Sequence, residues 1–243
     1  MACADADLLA KARICAANNV DWYECVFRAH GLDDERTASH WQSSAEAPPY
    51  YSNFVTLAPE AAQEQLAAVD RLDSAIGRSF TLKDAFAALP LAERGFTLLF
   101  EAQWIWLEVS ATPVAQEPGW ERISAPRELA LWEDAWNGTS PAGMRIFPPS
   151  TLADADVGFF GKQQNGHYVA GCIANRSHDC VGFSNFFAPS ESKVDCMTSA
   201  VSAVAGFGGG LPVVGYERGE DLEMALAAGF QSVGRLRVWV RQR

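Results

Sequence analysis

The sequence predicts a mixed α/β fold arranged as two similar halves, and three observations carry that expectation. Short apolar, β-rich runs alternate with segments whose apolar residues recur at helical spacing. Asn165-Gly166 divides two such runs and supplies the positive φ that a tight hairpin demands. Ser52-Asn53-Phe54 and Gly95-Phe96 recur as Ser184-Asn185-Phe186 and Gly229-Phe230, with 42 residues from Phe54 to Phe96 and 44 from Phe186 to Phe230. Paired anchors at nearly constant spacing, with the same helix, short strand and helix between them, read as a diverged duplication.

Each element has its own local reason. From Asp7 to His30 the apolar positions Leu8, Ala12, Cys15, Trp22 and Val26 predict a helix that Gly31 terminates, with Asn18 and Asn19 placed to break it in two. After the Pro48-Pro49-Tyr50-Tyr51 loop, Phe54–Leu57 is β-rich, and Pro59 opens a helix with Ala62, Leu66 and Val69 on one face. A short helix is expected near Leu82–Ala92, ending at Gly95, and the apolar, aromatic run Phe96–Val109 reads as a strand. Pro113–Pro126 holds three prolines and a glycine and is the expected linker. Beyond it come a strand at Trp120–Ile123 and a helix from Pro126 to Gly138, then a meander of Val157–Gln163, His167–Asn175 and Cys180–Phe187. A helix with Met197, Val201 and Val204 on one face, a strand at Leu211–Tyr216, a helix at Asp221–Ala228 ending at Gly229 and a strand at Val233–Val240 complete the pattern. Gly208-Gly209-Gly210 follows a helix and precedes a strand, the reverse of a phosphate cradle, and reads as a connection. The expected domains are 1–112, a linker with the next strand at 113–126, and 120–243.

The composition narrows the function classes. A net charge of −11 argues against nucleic acid and anionic membrane surfaces, which call for the opposite sign. The longest uncharged stretch, Cys196–Tyr216, is interrupted by Gly208-Gly209-Gly210 and Pro212 and does not read as a membrane helix. The acidic start Met1-Ala2-Cys3-Ala4-Asp5 is unlike a signal peptide, so a cytoplasmic location is expected. The six cysteines contain no Cys-x-x-Cys pair, and His30, His40, His167 and His178 form no ligand pattern with them, so no metal is expected.

The order of the second half, from Trp120 to Arg243, resembles the GNAT (GCN5-related N-acetyltransferase) superfamily; in the first half Tyr51–Val109 matches the later part of that pattern. The resemblance implies two parallel central strands, here Cys180–Phe187 and Leu211–Tyr216, that splay apart to admit acetyl-CoA or another acyl-CoA. It places the pantetheine arm between Phe186-Phe187 and Val213-Val214, and the diphosphate at Ser190, Ser192 and Lys193, where a helix N-terminus favours an anion. Two departures stand against it. Ala188–Val194 lacks the glycines of the family's diphosphate loop and carries Glu191, and the tyrosine that the family often places four residues before the Gly-Phe glycine is Ala225 here and Leu91 in the first half.

Tyr216 and Glu217, at the end of the second central strand, are the candidate catalytic acid and base. Asn53 and Asn185 are amides within apolar strands and must find partners when buried. Together with Trp41, Tyr50 and Tyr51, aromatic side chains of which the tyrosines carry polar tips, they are the candidate substrate-pocket residues. Two functions remain open at this point. One is an acyl-CoA-dependent N-acyltransferase acting on a small-molecule amine; the other is a catalytically degenerate GNAT-like module that binds a small ligand or a protein partner. Oligomeric state is not readable.

Overall fold

The computed structural model describes residues 2–109, 119–138 and 145–243, with side chains from residue 5 onward. The chain forms two compact units, the first made of residues up to Trp104 together with Val233–Arg243 and the second of Ile105–Ser232. The expected linker lies outside the described residues over 113–118; its remainder holds the start of the second unit's first strand and helix. Among the described residues no helix is long and apolar enough to cross a membrane, and no group of three or more His, Cys, Asp or Glu is arranged to hold a metal ion.

Unit 1 begins with α1, Ala2–Ala29, unbroken through Asn18-Asn19. Tertiary partners override the weak helix propensity of the pair. Asn18 is buried, and Asn19 Oδ1 accepts a 2.7 Å hydrogen bond from Lys83 Nζ. The helix stops as expected at Gly31, which takes φ 68°. Short strands β1 (Glu35–Arg36), β2 (His40–Gln42) and β3 (Phe54–Thr56) follow, then α2 (Ala62–Ile76), β4 (Phe80–Asp84) and β5 (Thr97–Leu107), whose residues through Trp104 belong here. The chain's last strand, β11 (Gln231–Arg241), joins from Val233 onward, and the order is β1-β2-β3-β4-β11-β5. β11 pairs antiparallel with β4 over five positions, Arg237↔Asp84 to Arg241↔Phe80. That pairing is why the division departs from the expected 120–243 boundary. The helix expected near Leu82–Ala92 is absent. Leu82 sits on β4 between two partner strands, and the Asp84 carboxylate then accepts the Phe86 and Leu89 amides and folds the chain into a turn, so only a 3-10 turn forms, at Ala92–Arg94.

Unit 2 holds β6 (Trp120–Arg122), α3 (Pro126–Asn137), the meander β7 (Val157–Gln164), β8 (His167–Arg176) and β9 (Val181–Phe187), then α4 (Lys193–Gly208), β10 (Val213–Glu217) and α5 (Gly219–Ala227). The strand order is β10-β9-β8-β7-β6, with the end of β5, Ile105–Leu107, beside β10. The hairpin turns at Asn165-Gly166 with φ 53° and 79°, as the dipeptide predicts. One sheet face packs on α4 and α5 through Cys172, Val181, Phe183, Met197, Val204, Val213 and Phe230. The other packs on α3, where the Trp132 ring lies 5.5 Å from Phe187 and 5.4 Å from Phe159.

The two Gly-Phe anchors are the same local device. Phe96 and Phe230 donate their amides to Leu91 O and Ala225 O at 3.1 and 3.0 Å, while Gly95 and Gly229 donate to Ala92 O and Leu226 O, both at 3.1 Å. Both glycines have positive φ, 79° and 98°. This is the paired bonding of a left-handed helix stop, and in each half it aims the chain into the following strand. The fold is thus mixed α+β in two like halves, the second more complete, since α5 stands where the first half has a single 3-10 turn.

Candidate functional site

The site is built where two parallel strands of unit 2 part. β9 and β10 pair only at Val181↔Val213 and Gly182↔Val214, although β9 runs on to Phe187 and β10 to Glu217. Gly215 marks the last close approach: a Cβ there would stand 2.6 Å from the Phe183 carbonyl oxygen. Beyond that point β9 bulges. Against β8 its register slips between Gly171↔Phe187 and Ile173↔Ser184, and Asn185 takes φ 52°. The extra residue of a bulge leaves the ladder and bends its strand.

The expected cofactor residues are distributed around this opening. Val213 and Val214 are buried in the paired part of the strands. Phe186 lies 5.6 Å from Phe183 on the α4 side, and Phe187 packs on Trp132 on the α3 side. Ser190 and Ser192 form a 3-10 turn that leads into α4, and no side chain caps that helix start. The Lys193 ammonium is engaged, donating to Asp221 Oδ1 at 2.6 Å.

Of the two expected catalytic residues, Glu217 has the more telling surroundings. It ends β10 and precedes α5, whose first turn carries Asp221. Burial pushes its carboxyl up to about 7; the Asp221 carboxylate adds to the rise, and Lys193 and Arg218 oppose it. A carboxyl so placed is half ionised near neutral pH and suits proton transfer. Tyr216 precedes it and is half-buried. The positions where a family tyrosine was sought, Leu91 and Ala225, are fully buried at 0% exposure, so a phenol there would have to displace core.

In unit 1 the equivalent strands stay closed. β3 and β4 pair at Phe54↔Leu82 and Val55↔Lys83, Asn53 N–H donates to Thr81 O at 2.8 Å, and Ala85 N–H donates to Thr56 Oγ1 at 2.8 Å. The expected pocket residues here are absorbed by the core. Trp41 is 0% exposed, edge-on to Tyr23 and Phe27 at 5.5 and 4.9 Å, and Tyr51 lies 4.9 Å from Tyr23. Asn53 donates both Nδ2 hydrogens to the Ser43 and Ala45 carbonyls at 2.8 Å, which ties down a loop. Tyr50 is 69% exposed, whereas Asn185 belongs to unit 2 at the bulge. Ring packing accounts for the burial of Trp41 and Tyr51, and amide bonding for that of Asn53.

Sequence reasoning missed Asp221 and Ser184. The signal for Asp221 was its place four residues after Glu217, across a strand-to-helix junction; that for Ser184 was its repeat partner Ser52.

No family model matches the chain, and no curated protein matches its sequence. Solved structures do match. A GCN5-related N-acetyltransferase from Kribbella flavida is similar at a TM-score of 0.60 and 14% identity, over 94% of each chain. One from Sphaerobacter thermophilus is similar at 0.53 and 14%, over 98% of this chain and 93% of that one. A conserved protein of unknown function from Staphylococcus epidermidis is similar at 0.56 and 12%, over 89% and 97%. At such identities the likeness establishes the architecture, and along nearly its whole length the chain folds like the GCN5-related N-acetyltransferases.

Proposed function

We propose that unit 2 is an acyl-CoA-dependent N-acyltransferase acting on a small amine. The observation that carries this reading is the Glu217 carboxyl, raised to about 7, at the end of a strand whose parallel register has already ended. The opening suits a pantetheine arm because the bulged end of β9 offers backbone groups outside the ladder. Ser190, Ser192 and the uncapped start of α4 would hold the diphosphate, with Lys193 reaching it by leaving Asp221. Bound acyl-CoA supplies a thioester as the acyl donor. Glu217, as carboxylate, takes a proton from the incoming ammonium or amine, directly or through one water, and Tyr216 on the same strand is the donor for the departing sulfur. Neutralising the amine is the step this chain must perform, because an ammonium has no lone pair with which to attack.

Glu217→Gln should lower kcat by about 10² to 10⁴ in a thiol-release assay with acetyl-CoA and a panel of amines, and leave acetyl-CoA affinity by calorimetry nearly unchanged. An unchanged kcat removes Glu217 from the reaction. One observation favours the second reading, a noncatalytic binding module: the turn before α4 bears exposed Glu191 and no glycine, and Lys193 is already paired. The absence of any heat with millimolar acetyl-CoA decides for that module.

A further inference from the structure

Ser184 is the residue of the opening that the fold leaves unserved. Its Oγ is buried and has no hydrogen-bond partner among the described residues. Leaving a hydroxyl buried and unpaired costs about 1–3 kcal/mol, so each such group calls for an explanation. Side chains alternate along β9. Val181 and Phe183 enter the core on α4, so Gly182 and Ser184 face the other way, towards the α3 side that Phe187 shares with Trp132. Tyr216, two residues past Val214 as Ser184 is two past Gly182, lies on that same face by the same alternation.

Unit 1 shows how such a serine is satisfied. Ser52 opens the first Ser-Asn-Phe, and Phe54 points into the α2 core just as Phe186 packs against the α4 core. Ser52 meets the phenol of Tyr23 from α1: its amide donates to Tyr23 Oη at 3.4 Å, and its side chain hydrogen-bonds the same group. The Tyr23 ring is walled by Trp41, Tyr51 and Phe27. In unit 2 the helix on this face brings no such phenol. Its central aromatic residue is Trp132, whose indole N–H goes to Phe160 O at 2.8 Å.

We propose that Ser184 is a specificity-determining residue that hydrogen-bonds the ring hydroxyl of an aromatic amine, held on the α3 face of unit 2 as Tyr23 is held in unit 1. The inference rests on the acyltransferase reading for its use of the amine. The first half carries its occupant as part of its own chain, which fits with its strands remaining closed; the second half takes the occupant from solution. Phe187 is the aromatic residue of β9 on the α3 side, and the hydroxyl of the ligand is the partner that Ser184 lacks.

Tyramine, whose ring end is a tyrosine side chain, and 2-phenylethylamine, which lacks only the hydroxyl, are the probes. Calorimetric titration of the full chain should show tyramine binding about tenfold more tightly, and Ser184→Ala should abolish that preference while sparing 2-phenylethylamine. Equal affinity for the two amines, a preference that survives Ser184→Ala, or no tyramine binding at millimolar concentration overturns the proposal. Ser184→Thr, which keeps the hydroxyl, should retain the preference and guards against a general effect of substitution. Acetyl-CoA is titrated separately. A protein that binds acetyl-CoA without discriminating between the amines loses this inference alone, and one that discriminates between them without binding acetyl-CoA keeps the Ser184 site but loses the acyltransferase reading.

Discussion

Replacing Lys83 with methionine should change how the stability of the protein depends on pH. Lys83 is 1% exposed, on β4 beneath α1, with its ammonium bonded to Asn19 and 4.9 Å from the centre of the Tyr23 ring. Burial lowers its pKa to about 7, against about 10.4 for an unfolded lysine. Between those values the folded state binds fewer protons than the unfolded state, so stability rises with pH across that window; below about 7 the full penalty of burying the charge applies. Each pH unit inside the window is worth about 1.4 kcal/mol, and allowing for curvature near its lower end the gain from about pH 7 to about pH 9 is about 2 kcal/mol. Lys83→Met keeps the apolar stem and removes the titration. It also strands Asn19 Oδ1, at a cost of about 1–3 kcal/mol that does not vary with pH. All other groups titrate alike in both proteins, so the stability of Lys83→Met relative to wild type should fall by about 2 kcal/mol over that range. Urea unfolding followed by tryptophan fluorescence at both pH values measures it. A difference that stays constant with pH would show that Lys83 keeps its ordinary pKa and that the burial argument is wrong.

Asp221→Asn should lower the Glu217 pKa, since it removes one neighbouring carboxylate and releases Lys193 to act on Glu217. Carbon-13 NMR titration of the glutamate carboxyls reads this without any substrate, and an unmoved resonance would dismiss Asp221 as a positioning residue. Gly215→Ala should cost about 1–3 kcal/mol, because its Cβ meets the backbone oxygen of Phe183 rather than a yielding side chain. Gly206→Ala, on α4 with nothing within 4 Å of the new Cβ, should instead stabilise by about 0.5–1 kcal/mol. Urea midpoints of the two variants moving in the same direction would contradict the packing described for β9 and β10.

The parts of the fold that announced themselves in the sequence are those fixed by a few adjacent residues. Asn165-Gly166 turns where its dipeptide says it should, and the two Gly-Phe pairs close their helical segments with matching hydrogen bonds. The unbroken α1 was not legible, because Asn19 is held by a lysine 64 residues away. Nor was the loss of the helix near Leu82, which two partner strands and the Asp84 carboxylate prevent. The place of Glu217 at a strand end was legible, whereas its raised pKa depends on burial and on Asp221 in the next element. The burial of Trp41 and Asn53 was not legible, because aromatic rings and amides serve a core as well as they serve a ligand. The Trp41 ring is packed edge-on to Tyr23 and Phe27, and the two Asn53 amide hydrogens go to backbone carbonyls.

The pairing of β4 with β11 sets a timetable for synthesis. Asp84 meets its partner Arg237 only after a further 153 residues have been made, and Trp239 belongs to the same apolar cluster as Phe54 and Leu82. Closing so long a loop late is entropically costly and slow, and until it closes an unpaired edge and an open core face persist. During vectorial translation the first hundred residues must therefore wait, partly assembled, for the last ten. Unit 2 draws its pairings from β6 to β10 entirely from Trp120–Glu217, all of it upstream of that strand. A chain lacking Val233–Arg243 would keep every partner of the β6 to β10 ladder and leave β4 without its antiparallel neighbour, an open edge beside an apolar cluster that lacks Trp239.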